Sequence, residues 1–211
     1  MKIPGGSFDA DGHIYRDCEG RRVLSVTQVF AMLGLANFDR VPASVLERKR
    51  DIGIAVHSAI ELLVADALNW DTVDEDAMAY VVAFERWLRQ MGFVVAAAEE
   101  QGIHRVSGMA YGYRVDLRGT MFYQGEMRHV IVDVKTTVAT SPSWAVQTAA
   151  YALAAPPLGA GVRYLRMACH LASDGTAKTL IYEDPKDEMS FLYMLYCAIW
   201  KLNAGYTLEA A

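Results

Sequence analysis

Polar and apolar residues alternate over residues 7–26, FDADGHIYRD and then CEGRRVLSV, around Gly- and Asp-containing turn signals. That period of two predicts a β-hairpin or two short strands. The period then lengthens. A short helix is predicted over 27–35, capped by Ser25 or Thr27, and a longer one from Pro42 to about residue 67. In the longer helix Val45, Ile52, Val56, Ile60 and Val64 recur at helical spacing. Gly53 interrupts it and marks a kink or a close backbone approach. A third helix over 74–91 has Asp74 as its cap and Tyr80, Phe84, Trp87, Leu88 and Met91 as its apolar stripe.

Residues 93–98, 110–118 and 129–135 are β-type segments separated by Gly-containing turns, an antiparallel meander in which 119–128 is the loop between the last two. A helix over 142–155 follows, with Ser141 as cap and Pro142 in its first turn. Strands at 162–171 and 178–183 come next, and a last helix opens at Asp184–Pro185 and closes at Gly205. Its segment MSFLYMLYCAIW is too short to span a bilayer and reads as a buried helix. The order predicts an α/β chain with a central mixed sheet flanked by helices, preceded by the N-terminal hairpin.

The 211 residues suffice for one substantial core, and no linker, repeat or low-complexity run divides residues 1–211, so a single domain is expected. Hydrophobic residues at 53% and charged residues at 21% belong to a folded protein. The amino terminus has no apolar leader-like segment, and the three cysteines (Cys18, Cys169, Cys197) make neither a zinc pattern nor a disulfide framework. A reducing cytoplasm and no membrane association fit these features. The net charge of −5 weighs against nucleic acid only weakly, because local cations decide. The candidates are Arg21 and Arg22, the run Arg48, Lys49 and Arg50, and Arg114, Arg118 and Arg128; each also reads as part of a solvated face.

The segment HVIVDVKTT carries the most chemistry. Asp133 and Lys135 share one side of a strand that enters the core, and burying both charges needs compensation, which a cation and a phosphate would supply. An edge-strand salt bridge is the other reading. The same acidic–x–Lys spacing recurs at Glu47–Lys49, on a charged helical face, and at Asp184–Lys186, at a helix start; only Asp133–Lys135 follows an apolar β-run. In YGYRVDLRG, Asp116 ends a neighbouring β-run, either as an exposed hairpin aspartate or as a second carboxylate near Asp133. Two converging carboxylates repel unless a divalent cation lies between them, and oxygen donors suit Mg²⁺ or Mn²⁺. His57 and Glu61 share a helical face in GIAVHSAIE, where His57 is a core histidine or a further ligand. Gln147 and Tyr151, four apart in WAVQTAAYA, share another.

The order GIAVH, YRVDLRG, VIVDVKTT, WAVQTAAYA resembles the PD-(D/E)XK nuclease superfamily over roughly residues 50–155, closest to its RecB-like branch of phage recombination exonucleases. The resemblance implies a restriction-endonuclease-like core (about 50–183) and a Mg²⁺- or Mn²⁺-dependent deoxyribonuclease that leaves 5′-phosphates. By position it implies His57, Asp116, Asp133 and the Val134 carbonyl as metal ligands. Lys135 matches the catalytic lysine, and Gln147 and Tyr151 the strand-positioning pair. Glu99 or Glu100 matches a further acidic residue ahead of the first aspartate, and Glu61 is an additional acidic candidate. DNA is the implied partner, with a single-strand annealing protein and self-assembly also suggested. The alternative is a nuclease-fold DNA-binding or recombination accessory module without turnover. The branch's glycine two or three residues ahead of the first aspartate is replaced here by Tyr113 and Arg114, with the glycine at 112.

Overall fold

Four short antiparallel strands open the chain in sequential order: β1 (Lys2–Ile3), β2 (Gly6–Asp9), β3 (Ile14–Asp17) and β4 (Arg22–Val23). Two strands more than a hairpin form here. Asp17 organises the turn after β3: one carboxylate oxygen accepts from the Glu19 and Arg21 amides, and the other pairs with the Arg21 and Arg105 guanidinium groups. The structure, a computed structural model, describes residues 1–35 and 42–207.

Ser25 caps α1 (Val26–Met32), its hydroxyl accepting from the Gln28 amide while the Gln28 side chain accepts from the Ser25 amide. Helix α2 (Ala43–Val64) follows Pro42, and α3 (Glu75–Met91) follows Asp74, which accepts from the Asp76 amide. The predicted stripe of α2 holds in part. Val56 and Ile60 are buried and Ile52 and Val64 partly so, but Val45, near the start, faces solvent. Gly53 lies beside the Thr136 side chain, where an added Cβ would make only ordinary contact, so no close backbone approach requires a glycine here.

The central sheet has the order β5 (Val94–Val106), β6 (Met109–Tyr123), β7 (Glu126–Lys135), β8 (Leu165–Leu171), β9 (Ala177–Tyr182). All neighbours are antiparallel except β7 and β8, which run parallel because α4 (Ser143–Ala154) carries the chain back between them. The sheet is therefore mixed, as predicted, but its strands are longer. The expected loop 119–128 is mostly strand: β6 and β7 pair to Tyr123–Glu126, and only Gln124 and Gly125 turn, both at positive φ (50° and 91°). The last helix, α5 (Lys186–Asn203), begins after Pro185, with the Asp184 carboxylate accepting from the Lys186 amide.

Two apolar layers sandwich the sheet. On one face α2 and α3 supply Val56, Ile60, Tyr80, Phe84 and Trp87, packed against Leu117, Val130, Val132, Val134 and Met167. On the other, α1, α4 and α5 supply Val29, Phe30, Ala150, Phe191 and Leu195, packed against Tyr111, Val115 and Ile131. Burying each large side chain of this kind stabilises by about 1.5–3 kcal/mol. Strand β7 is central and covered on both faces, which explains its unbroken apolar run and excludes an edge-strand setting for Asp133 and Lys135. The N-terminal sheet docks on β5 through Phe8, Tyr15, Val23 and Ile103. The Tyr15 ring lies on Gly112, where a Cβ would come within 2.4 Å of it.

Candidate metal centre

The alternation of β6 does not run through Asp116. Tyr111, Tyr113 and Val115 face the α1/α4/α5 layer, whereas Leu117 and Met121 face the α2/α3 layer, although all five are odd-numbered. The period of two resets between Val115 and Leu117. On β5 the register Ala98–Leu117 and Glu100–Val115 puts Glu99 across from Asp116, and Glu99 has φ +50°. A non-glycine residue in the left-handed region within a strand is held there by its surroundings. The result aims the Glu99 and Asp116 carboxylates at one another's vicinity, where α2 brings His57.

His57 Nδ1 lies 3.5 Å from Glu99 Oε1 and 3.5 Å from Asp116 Oδ1. One ligand atom from each of His57, Glu99 and Asp116 falls within 4.8 Å of the others. The second Asp116 oxygen accepts from the Val134 amide at 2.7 Å, so β6 and β7 are tied by a side chain where their ladder ends. This contact involves the N–H of Val134, not its carbonyl. Burial, aided by Asp133 and Glu99, pushes the Asp116 carboxyl up to about 6 against the pull of His57 and Lys135. For His57 burial acts downward, but Asp116, Glu99 and Asp133 outweigh it and hold the imidazole up at about 9. Glu99 is also desolvated, yet His57 and Arg114 keep it below the usual carboxylate range.

Asp133 stands beside this triad, not within it. Its side chain is 2% exposed, and Oδ2 lies 2.8 Å from Lys135 Nζ without hydrogen-bond geometry, leaving that oxygen buried with an ion contact alone. Lys135 Nζ donates instead to Gln147 Oε1 at 3.0 Å, and Gln147 Nε2 donates to the Tyr151 hydroxyl at 2.8 Å. Gln147 and Tyr151 are both buried. Helix α4 is fixed in turn by Tyr111, whose hydroxyl donates to the Ala150 carbonyl at 2.7 Å.

Between Glu99 and Glu100, the structure puts Glu99 in the cluster; Glu100 pairs with Arg118 at 2.8 Å. Glu61 is exposed one turn beyond His57 and lines a neighbouring cleft with Glu99, Gln101 and Arg114. Most of the expected cations are neutralised: Arg21 by Asp17 and Glu19, Arg48 by Asp76, Arg114 by Glu99, Arg118 by Glu100 and Arg128 by Glu126. Arg50 and Arg114 line a cavity of about 370 Å³ in front of the cluster, with His13, Tyr15 and Tyr113. A larger cavity, about 560 Å³, opens at the other end of β7 and β8, away from these ligands, and its Arg128, Arg163 and Arg166 are each paired. Sequence reading missed Trp144 and His170. The parallel register sets His170 across from Lys135, and Trp144 packs against His170 with the Lys135 ammonium 5.9 Å from its ring.

The donor set fits a divalent cation. Two carboxylates and an imidazole converge, and a buried carboxylate oxygen next to them lacks a hydrogen bond.

A mixed five-stranded sheet flanked by helices, with a His–Glu–Asp cluster capable of holding a metal, defines the class of protein this chain represents. No family model matches the sequence, and no curated protein does. Among solved structures the chain shares its fold with a Eubacterium rectale protein named "Putative exonuclease": 12% identity, TM-score 0.52, covering 88% of this chain and 82% of that one. A second, SSO0001, aligns at 12% identity over 60% of this chain and 58% of its own, with a TM-score of 0.35.

Proposed function

We propose that this protein is a metal-dependent deoxyribonuclease of the PD-(D/E)XK type, an exonuclease of RecB-like character acting in phage-type DNA recombination or repair. The observation that carries this reading is the convergence of His57, Glu99 and Asp116 beside the buried Asp133–Lys135 pair. The shared fold with the Eubacterium rectale protein supports it.

In this reading His57, Glu99 and Asp116 hold Mg²⁺ or Mn²⁺, with Asp133 completing the set. When bound, the cation supplies Lewis acidity, making water a stronger nucleophile at neutral pH and offsetting phosphate charge. Water attacks the phosphorus, and the bond to the 3′-oxygen breaks to leave a 3′-hydroxyl and a 5′-phosphate. Asp133 Oδ2, which lacks a hydrogen bond of its own, accepts one from the attacking water. The Lys135 side chain stabilises the charge that builds on the phosphate oxygens. Gln147, anchored by Tyr151, keeps the lysine from swinging away. Arg50 and Arg114 face the cavity where the strand's phosphates lie.

The test is hydrolysis of end-labelled DNA with Mg²⁺ or Mn²⁺ by wild type, Asp133→Ala and Lys135→Ala. Cleavage by wild type and loss of on the order of 10²-fold or more in either variant is expected. A wild type inert on single-stranded, double-stranded and flapped DNA refutes turnover. The accessory-module reading then holds if calorimetry also finds Mn²⁺ bound poorly.

A further inference from the structure

The segment read from sequence as a buried helix is buried on one face only. Phe191, Leu195 and Ala198 of α5 enter the core, while Met189, Tyr193, Tyr196 and Trp200 are 48%, 66%, 66% and 59% exposed. These four recur at spacings of four, three and four, one straight seam along the helix. No charged residue occurs from Met189 to Trp200. A solvated helix face ordinarily carries charges, whereas Tyr, Trp and Met on a charge-free face are the composition of a protein–protein contact. Nucleic acid is a poor match for a face without cations.

We infer that this face of α5 pairs with the same face of a second copy of the chain, the two helices running antiparallel about a twofold axis between Tyr193 and Tyr196. Three observations favour a second copy over an unlike partner. First, the spacing is palindromic: antiparallel pairing sets Tyr193 against Tyr196 and Met189 against Trp200, so the seam complements itself. Second, the charges lie only at the helix ends, with Lys186, Asp187 and Glu188 in the first turn and Lys201 in the last, so pairing along the seam buries no charge. The antiparallel arrangement also opposes the helix dipoles favourably. Third, the area suffices. Tyr206, 54% exposed, extends the seam beside Trp200. At roughly 150–250 Å² per aromatic side chain, the exposed parts of the four rings come to on the order of 400–600 Å² per copy. Two copies reach about 1,000 Å², where specific interfaces begin, before Met189 and the rim are added. None of the seam residues lines the cavity at His57, so pairing leaves both clusters open.

Sedimentation velocity across a concentration series, taken to on the order of 100 μM so that even a weak dimer is seen, tests this. Wild type is expected at twice the 23.3 kDa of one chain. Tyr193→Glu and Tyr196→Glu, both at exposed positions, are expected to weaken self-association at least ~30-fold with circular dichroism and melting temperature of the monomer unchanged. A register-specific check mixes Met189→Cys protein with Trp200→Cys protein, each made in a Cys18→Ser, Cys197→Ser background. The mixed disulfide is expected to exceed either self-disulfide. A monomeric wild type throughout the series overturns the inference and leaves the face to an unlike partner. A dimer that tolerates both glutamate substitutions also overturns it.

Discussion

Replacing Lys135 with methionine separates the lysine's structural role from any catalytic one. Lys135 is the cation in contact with Asp133 Oδ2, at 2.8 Å, and the side chains are 16% and 2% exposed. Removing one partner of a buried pair leaves the other charge uncompensated, which costs about 3–5 kcal/mol. The partial exposure of Lys135 reduces this to roughly 2–3 kcal/mol. For a chain of this length that lowers the melting temperature by about 4–12 °C. Lys135→Met with Asp133→Asn removes both charges together, so the double variant should be more stable than the sum of the singles by about 1–2 kcal/mol. The assay is thermal and urea unfolding of the four proteins in a chelator. Additive losses, with a coupling below about 0.5 kcal/mol, would refute the claim that the pair is a buried unit.

Further expectations concern binding, packing and acid stability. Cation binding must displace a proton from His57, held up at about 9, and from Asp116, at about 6. Mn²⁺ affinity by calorimetry should therefore rise about tenfold per pH unit between 6 and 9, more steeply below 6, and level off above 9; His57→Gln should flatten the upper limb, and a pH-independent affinity refutes the assignment. Gly112→Ala drives a methyl into the Tyr15 ring and should destabilise by about 1–3 kcal/mol in urea titrations; an unchanged midpoint would show that the N-terminal sheet docks elsewhere. Asp17 is lowered from 3.8 to about 2: burial acts upward, but the Arg21 side chain and the Arg21 and Glu19 amides outweigh it. Its contribution is complete above about 3.8 and lost as pH falls through about 2. Asp17→Asn should therefore lower the melting temperature at pH 7, and the gap to wild type should close towards pH 2.

The fold was legible where burial leaves a periodic mark. HVIVDVKTT is apolar on both faces because β7 is the central strand, and the α3 stripe Tyr80, Phe84, Trp87 is buried as its spacing implies. Of the residues singled out from sequence, His57 and Asp116 fall in one cluster with Glu99, one of the two glutamates left open, while Asp133 and Lys135 pair beside it. Glu99 enters the cluster through a left-handed backbone inside β5, and the period of two resets at Asp116; neither has a residue-type signature, since glutamate is not favoured at positive φ. The Gln124–Gly125 turn is half signalled, by Gly125 but not by Gln124, and the strands beside it are longer than the alternation implied. Because α5 is apolar nearly all round over Met189–Trp200, its pattern could not tell which face meets the core.

The measurement that bears most directly on the metal centre is the anomalous difference map of a crystal soaked in Mn²⁺. A single peak is expected within roughly 2.0–2.4 Å of carboxylate oxygens of Glu99 and Asp116 and of His57 Nδ1, next to Asp133. A map with no peak there, or with Mn²⁺ bound elsewhere while these side chains keep their present contacts, would contradict it.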